Sequence, residues 1–202
     1  LERSTADLYQ DDDRVASYQV TSGLAGFDVG SEFNRYGELR LGLVGGVLAP
    51  ELATGPQILS PGEERIQAGA FTGRLRLDQL DSVYFPRSGW RSEVNVFDSQ
   101  GSLGADEEYA YWTADGTGAV SFGDHTFNFY ARAADKLGNN PLPRYENFQW
   151  GGFLQQSGYS TGQLLGESLQ FGRVMYYHRI MSGTLLEGAY GGVSLEAGRI
   201  GN

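Results

Sequence analysis

Cysteine is absent from the 202 residues, so the chain has no disulfide framework and no thiolate to act as nucleophile or metal ligand. Histidine occurs only at His125 and His178, with no carboxylate pattern around either, and a metal centre is not expected. No cofactor is expected either. Positive charge is in short supply: 15 Lys and Arg stand against 25 Asp and Glu, for a net charge of −10. Such a chain lacks the basic surface that nucleic-acid phosphates require. There is no run of about 18 apolar residues, which excludes a transmembrane helix. It does not exclude a membrane barrel, whose strands cross in about 9–11 residues with only alternate side chains apolar. The mean hydropathy of −0.35 is compatible with that arrangement. An initiating methionine and a signal peptide are also missing, so Leu1 reads as the start of a fragment or of a processed chain.

What is abundant is glycine, 30 of 202 residues, together with 13% aromatic residues. Both lower helix propensity, and both suit a sheet protein with tight turns. The length fits one domain or a large piece of one. Residues 1–13 are polar, end in Asp11-Asp12-Asp13, and read as a solvated leader or linker ahead of a domain spanning 14–202. From Arg14 the pattern has period two. Ala25, Phe27, Val29 and Phe33 share one face, a turn falls at Asn34–Gly37, and Leu39, Leu41, Leu43 and Val47 return. Residues 50–63 hold three of the six prolines and read as a long loop. Further strands are expected over 64–80, 91–98, 107–121, 125–136, 167–181 and 184–199, the last two around a turn at Ser182-Gly183. The reading is an all-β antiparallel meander of about nine long strands, with short turns on one side and longer loops on the other. Soluble sandwich strands are shorter, about 5–6 residues. The polar parity would face a wet lumen, which accounts for Arg132 and Arg173 inside strands. The pairs Tyr109/Tyr111 and Tyr176/Tyr177 are expected at the membrane–water boundary rather than on a sugar- or lipid-stacking platform.

One connection stands apart. Residues 137–166 (LGNNPLPRYENFQWGGFLQQSGYSTGQLLG) read as neither strand nor tight turn, and carry Pro141, Pro143, five aromatics and five glycines after Gly138. A loop this long inside a meander is functional or disordered, and this many aromatics disfavours disorder. The expectation is a loop folded back into the lumen. Gly151, Gly152 and Gly158 would permit positive φ and close approach, and Phe153 and Tyr159 would supply the apolar docking area.

Within this loop Gly158-Tyr159-Ser160-Thr161-Gly162 matches the G-x-S-x-G pattern of a nucleophile elbow. That elbow needs a strand before its serine and a helix after it, and neither is present. Catalysis by Ser160 in a barrel-type lipid hydrolase is therefore the alternative rather than the reading, as is a soluble β-sandwich that binds carbohydrate through its aromatics. The chain itself is not expected to be an enzyme.

Two segments carry a resemblance. Val83-Tyr84-Phe85-Pro86-Arg87-Ser88-Gly89-Trp90 resembles the FP-x-x-G-(W/Y) signature that opens a barrel strand in bacterial surface antigen (D15)/Omp85-type proteins, with Phe85, Pro86, Gly89 and Trp90 at its fixed positions. Gly151-Gly152-Phe153-Leu154, Ser157-Gly158-Tyr159 and the strand ending Tyr176-Tyr177-His178-Arg179 resemble the sixth-loop region of the same superfamily. The wording is most similar to the barrel that follows a patatin-like phospholipase in type Vd autotransporters. The resemblance implies a translocator and anchor in the bacterial outer membrane. It also implies a covalently attached passenger and a POTRA-type domain upstream, and a sixteen-stranded barrel of which this chain holds only part. A piece with open edges would pair with another chain or with missing strands. There are two departures: about nine strands are too few for sixteen, and the loop differs. The family's loop arginine, which reaches an acidic partner in the wall, is replaced by Ser157, so its ionic latch is absent and hydrogen bonds from Ser157 or Tyr159 to lumenal groups are expected instead.

Overall fold

The structure is a computed structural model that describes residues 2–10, 13–54, 65–181 and 188–201, with side chains described over 21–49, 65–181 and 188–201. Nine strands form one antiparallel sheet: β1 (Glu2–Gln10), β2 (Asp13–Glu32), β3 (Gly37–Thr54), β4 (Ile66–Asp78), β5 (Gly89–Ser99), β6 (Tyr109–Phe122), β7 (His125–Leu137), β10 (Ser168–Met181) and β11 (Ala189–Gly201). Each pairs with its neighbour in sequence except that β7 pairs with β10, because a separate two-stranded hairpin, β8 (Phe148–Trp150) and β9 (Leu164–Gly166), lies between them. The sheet is open: β1 and β11 are its edges and do not pair with each other.

Two expectations change here. The polar stretch at the start contains β1, paired antiparallel with β2 from Glu2↔Ser22 to Gln10↔Asp13, with a register shift between Leu8 and Tyr9. The free edge of β2 offers backbone donors and acceptors that a polar sequence can pair as well as an apolar one. The proline-rich stretch also begins later than its composition suggests, since β3 runs through Pro50 to Thr54. Beyond Leu48 that strand no longer pairs with β4, and a proline is tolerated where no ladder partner needs its N–H. Asp11, Asp12, the rest of the proline-rich loop and Ser182-Gly183 lie outside the described residues.

Alternation sorts the sheet into two faces. One carries exposed Phe27, Val29, Leu41, Phe71, Val96, Phe129, Val174, Val193 and Leu195. The other carries the polar parity: Asp28, Arg40, Arg74, Glu93, Asp115, Arg132, Arg173 and Glu196, aligned by the register of adjacent strands. Pairing at a period of two makes this sorting automatic once register is set. The 137–166 loop packs on the polar face, which is therefore the inner one. The buried core forms where the loop meets the wall: Tyr109, Ala134, Leu142, Phe148, Trp150, Leu169 and Phe171.

Candidate functional site

The loop is held on the wall at its root, along its middle and at its tip. At the root the Leu142 N–H donates to Glu167 Oε1 (3.0 Å), Lys136 Nζ pairs with the same carboxylate, and Asn140 Nδ2 donates to the Glu108 carbonyl (2.9 Å). A short 3-10 turn at Arg144–Glu146 then places Glu146 beside β6, where Tyr109 Oη donates to its Oε1 (3.3 Å), and Tyr145 Oη donates to Glu107. Burial pushes the Glu146 carboxyl above its usual range, opposed in part by the hydrogen bonds it accepts from Tyr109 and Tyr111.

Along the middle, the β8–β9 hairpin turns Phe148 and Trp150 toward the wall. Phe148 meets Tyr111 edge-on at 5.7 Å, and Trp150 packs against Phe171 at 4.9 Å with the Arg132 guanidinium over its ring at 5.3 Å. Phe97, Tyr109 and Tyr111 stack in a row beneath them. The expected boundary position therefore fails for Tyr109, Tyr111 and Tyr177, which all face inward; only Tyr176 points out. Phe153 is 86% exposed and Tyr159 is 38% exposed, so the apolar docking area comes from Leu142, Phe148 and Trp150 instead. Glycine-rich loops have no periodicity, and nothing in the sequence distinguishes the loop's inward aromatics from its outward ones.

The tip is built around Ser157. Gly151 and Gly152 have φ of +120° and +114°, and a Cβ on either would meet Ser160 or Thr161 across the hairpin. Gly158 differs from expectation: its φ is not positive and a Cβ there would meet nothing, so it is not conformationally required. The left-handed positions are Leu154 (+60°) and Gln156 (+72°). These turns point two successive N–H groups, of Gln156 and Ser157, at one oxygen of Glu196 on β11, each at 2.9 Å, and the Ser157 hydroxyl lies 3.1 Å from both of its oxygens. Successive backbone amides of this kind form an anion-binding nest. Arg173, the in-register neighbour of Glu196 on β10, donates from Nη1 to the Leu154 carbonyl (3.0 Å) and lies 5.3 Å over the Tyr130 ring. The tip thus has no charge of its own. The wall supplies both signs, the carboxylate taking amides and the guanidinium giving to a carbonyl. The expected exchange of an ionic latch for Ser157 hydrogen bonds now has its partner, Glu196. Parity puts Arg173 on the lumenal side, but its pairing with Glu196 is not legible from spacing, because only strand register places the two together.

The strand-opening motif forms a second inward structure at the short-turn end. Asp81 accepts the Arg87 N–H at 2.9 Å, Gly89 turns with φ +95°, and β5 starts there. Phe85 stacks on Tyr190 at 4.4 Å and meets Tyr177 edge-on at 5.8 Å, while Tyr177 Oη donates to the Pro86 carbonyl. Arg87 reaches the Gly123 carbonyl, and Ser121 Oγ donates to the Arg87 carbonyl at 2.7 Å. Trp90 points outward with the apolar face. Tyr84, just before the motif's phenylalanine, is 89% exposed.

Ser160 sits in the inward loop, with its N–H donating to Gln163 Oε1 at 2.8 Å. His125 and His178 are in-register neighbours on the outward parity at the far end of β7 and β10. The sheet separates the serine from both histidines, and the nucleophile-and-base arrangement is not assembled.

An Omp85 superfamily domain matches residues 2–184. The chain belongs to that superfamily. No curated protein matches it significantly by sequence. Among solved structures, the Omp85 chain is similar to BamA from Haemophilus ducreyi lacking POTRA domains 1–3, with a TM-score of 0.72 at 14% identity over 90% of this chain. It spans 42% of that structure's length. At that identity the likeness is one of fold.

Proposed function

We propose that this Omp85 chain is part of an outer-membrane barrel that translocates or anchors an attached passenger. The observation that carries the reading is the inward loop gripped by Glu196 and Arg173, since a loop so fixed covers the β6–β11 part of the inner wall and ties β10 to β11 at mid-wall. The outward apolar face supports a bacterial outer-membrane location, because strands of 11–20 residues are long enough to cross the bilayer when tilted. The wording of the loop and strand-opening motifs favours a patatin-like phospholipase passenger and a POTRA-type domain upstream, and the open edges favour further strands or a partner chain closing the barrel.

The test places Glu196→Lys in the parent protein, in cells. That variant opposes Arg173 with a second cation and leaves the Gln156 and Ser157 amides facing a donor. Surface display of the upstream part should fall at least several-fold, read by protease access on intact cells, together with the heat-modifiable barrel in outer-membrane fractions. Unchanged display would refute a working role for the latch. In the same cells Ser160→Ala should leave any lipase activity intact; its loss would favour the hydrolase alternative.

A further inference from the structure

The outward end of β7 and β10 holds a polar cluster with no part in the loop or its latch. His125 and His178 are directly opposed across the two strands, with ring centroids 4.7 Å apart. Tyr176, two residues from His178 on the same face, has its hydroxyl 2.7 Å from His125 Nδ1. That contact leaves His125 Nε2 for a ligand, and His178 Nδ1 is covered and unpartnered, which leaves the Nε2 edge of that ring to meet one. Asp124, in the turn beside His125, is engaged at 2.6 Å by Arg179, which stands on the inward parity, the side that also holds Arg87. Asp81, the other acid of this end, is tied to the Arg87 N–H. Both acids of this end are thus taken up on the inner side, and the outward imidazoles and phenol hydrogen-bond no carboxylate among the described residues.

Toward the middle of the same face, between the Phe129–Val174–Leu195 row and the Ala133–Gln170–Arg199 row, one register row carries only small residues. Gly116, Ala131, Gly172 and Ala197 lie in one register row across β6, β7, β10 and β11, forming the floor of an apolar groove of about 770 Å³ rimmed by Trp90 and Leu195. From His125 to Ala131 is six residues, about 20 Å along the strand. At a strand tilt of about 45° that is roughly 15 Å of depth, half of a hydrocarbon core of about 30 Å. A polar head station and an apolar groove at this separation match one lipid molecule.

We propose that the outward face of β6–β11 seats an anionic phospholipid, its phosphate at His125, Tyr176 and His178 and an acyl chain in the Gly116–Ala131–Gly172–Ala197 groove. This rests on the reading that the outward face meets lipid. Trp90 at the groove rim reports on both. The full chain carrying Trp112→Phe is reconstituted in phosphatidylcholine vesicles doped with either phosphatidylglycerol or phosphatidylcholine brominated on the acyl chain. Brominated phosphatidylglycerol should quench Trp90 at about a threefold lower mole fraction than brominated phosphatidylcholine, and His125→Gln/His178→Gln should bring the two to equality. Ala131→Leu, which fills the floor, should reduce quenching by both. Should the histidine double variant fail to insert, Tyr176→Phe removes one hydroxyl and should narrow the preference. Equal quenching by the two lipids in the unaltered chain, or a preference that survives these variants, overturns the site while leaving the barrel reading intact. Absence of quenching by either lipid overturns both. Loss of the preference on adding inorganic phosphate would mean a free anion is the ligand, and would overturn the lipid assignment.

Discussion

The inner wall is lined in two different ways. Over β2–β5 it carries a ladder of charges: Arg40 pairs with Asp28 (3.1 Å) and Glu38 (3.2 Å), and Glu93 lies within reach of Arg74, Arg76 and Arg91 at 3.9, 3.4 and 3.6 Å. Over β6–β11 the same parity carries Tyr109, Leu169 and Phe171 under the loop. The charged part borders an open inner cavity of about 450 Å³, whereas the apolar part is covered. The buried apolar cluster of the inner wall is the part that the loop lies over. The charged part solvates its side chains and gains little from each ion pair. The covered part gains from area removed from water.

Substitutions on the two parts should rank accordingly. The largest effect is expected for Trp150→Ala, which removes the side chain between Phe171 and Arg132 and should cost about 3–5 kcal/mol, seen as an earlier unfolding midpoint in urea from vesicles. A cost near that of a surface change would mean that the loop is not part of the core. Next comes Glu196→Gln, which weakens the charge-assisted bonds to the Gln156 and Ser157 amides; roughly 1.5–3 kcal/mol is the upper range for hydrogen bonds to a charged group. Its signature is loosening confined to the loop, measured by hydrogen exchange at residues 154–160, with β6 and β7 unchanged.

A pH series separates the two parts without large structural change. Glu146 has a raised folded pKa, so the folded state holds its proton more firmly than the unfolded chain does. Its contribution is fully present below the ordinary value of 4.5 and is lost as pH rises through the folded value. The midpoint should therefore drift down across that window, and Glu146→Gln should flatten the drift. A drift that persisted in the variant would assign it to another group. Smaller still, Glu93→Gln should change stability by under about 1 kcal/mol despite three arginines nearby, and by less at high salt. Phe153→Ala should be within about 0.5 kcal/mol of neutral, as for a surface substitution. A loss comparable to Trp150→Ala would show that Phe153 meets a surface the described residues do not include.

The period-two pattern carried the fold class, most of the strand positions and the two faces, because in a sheet the face of a side chain follows from parity alone. It carried the existence of the inward loop too, since thirty residues of glycine and aromatics between two strands need a surface to pack on. The pairing of Glu196 with Arg173 and the inward choice of Trp150 over Phe153 were decided by tertiary structure. The paired residues are 23 residues apart in sequence and adjacent only through the β10–β11 register. The last depends on φ angles at Gly151, Gly152, Leu154 and Gln156, which steer side chains with no repeat to announce them. Parity is a local property of the chain. Partnership across strands is not, and the latch consists of such partnerships.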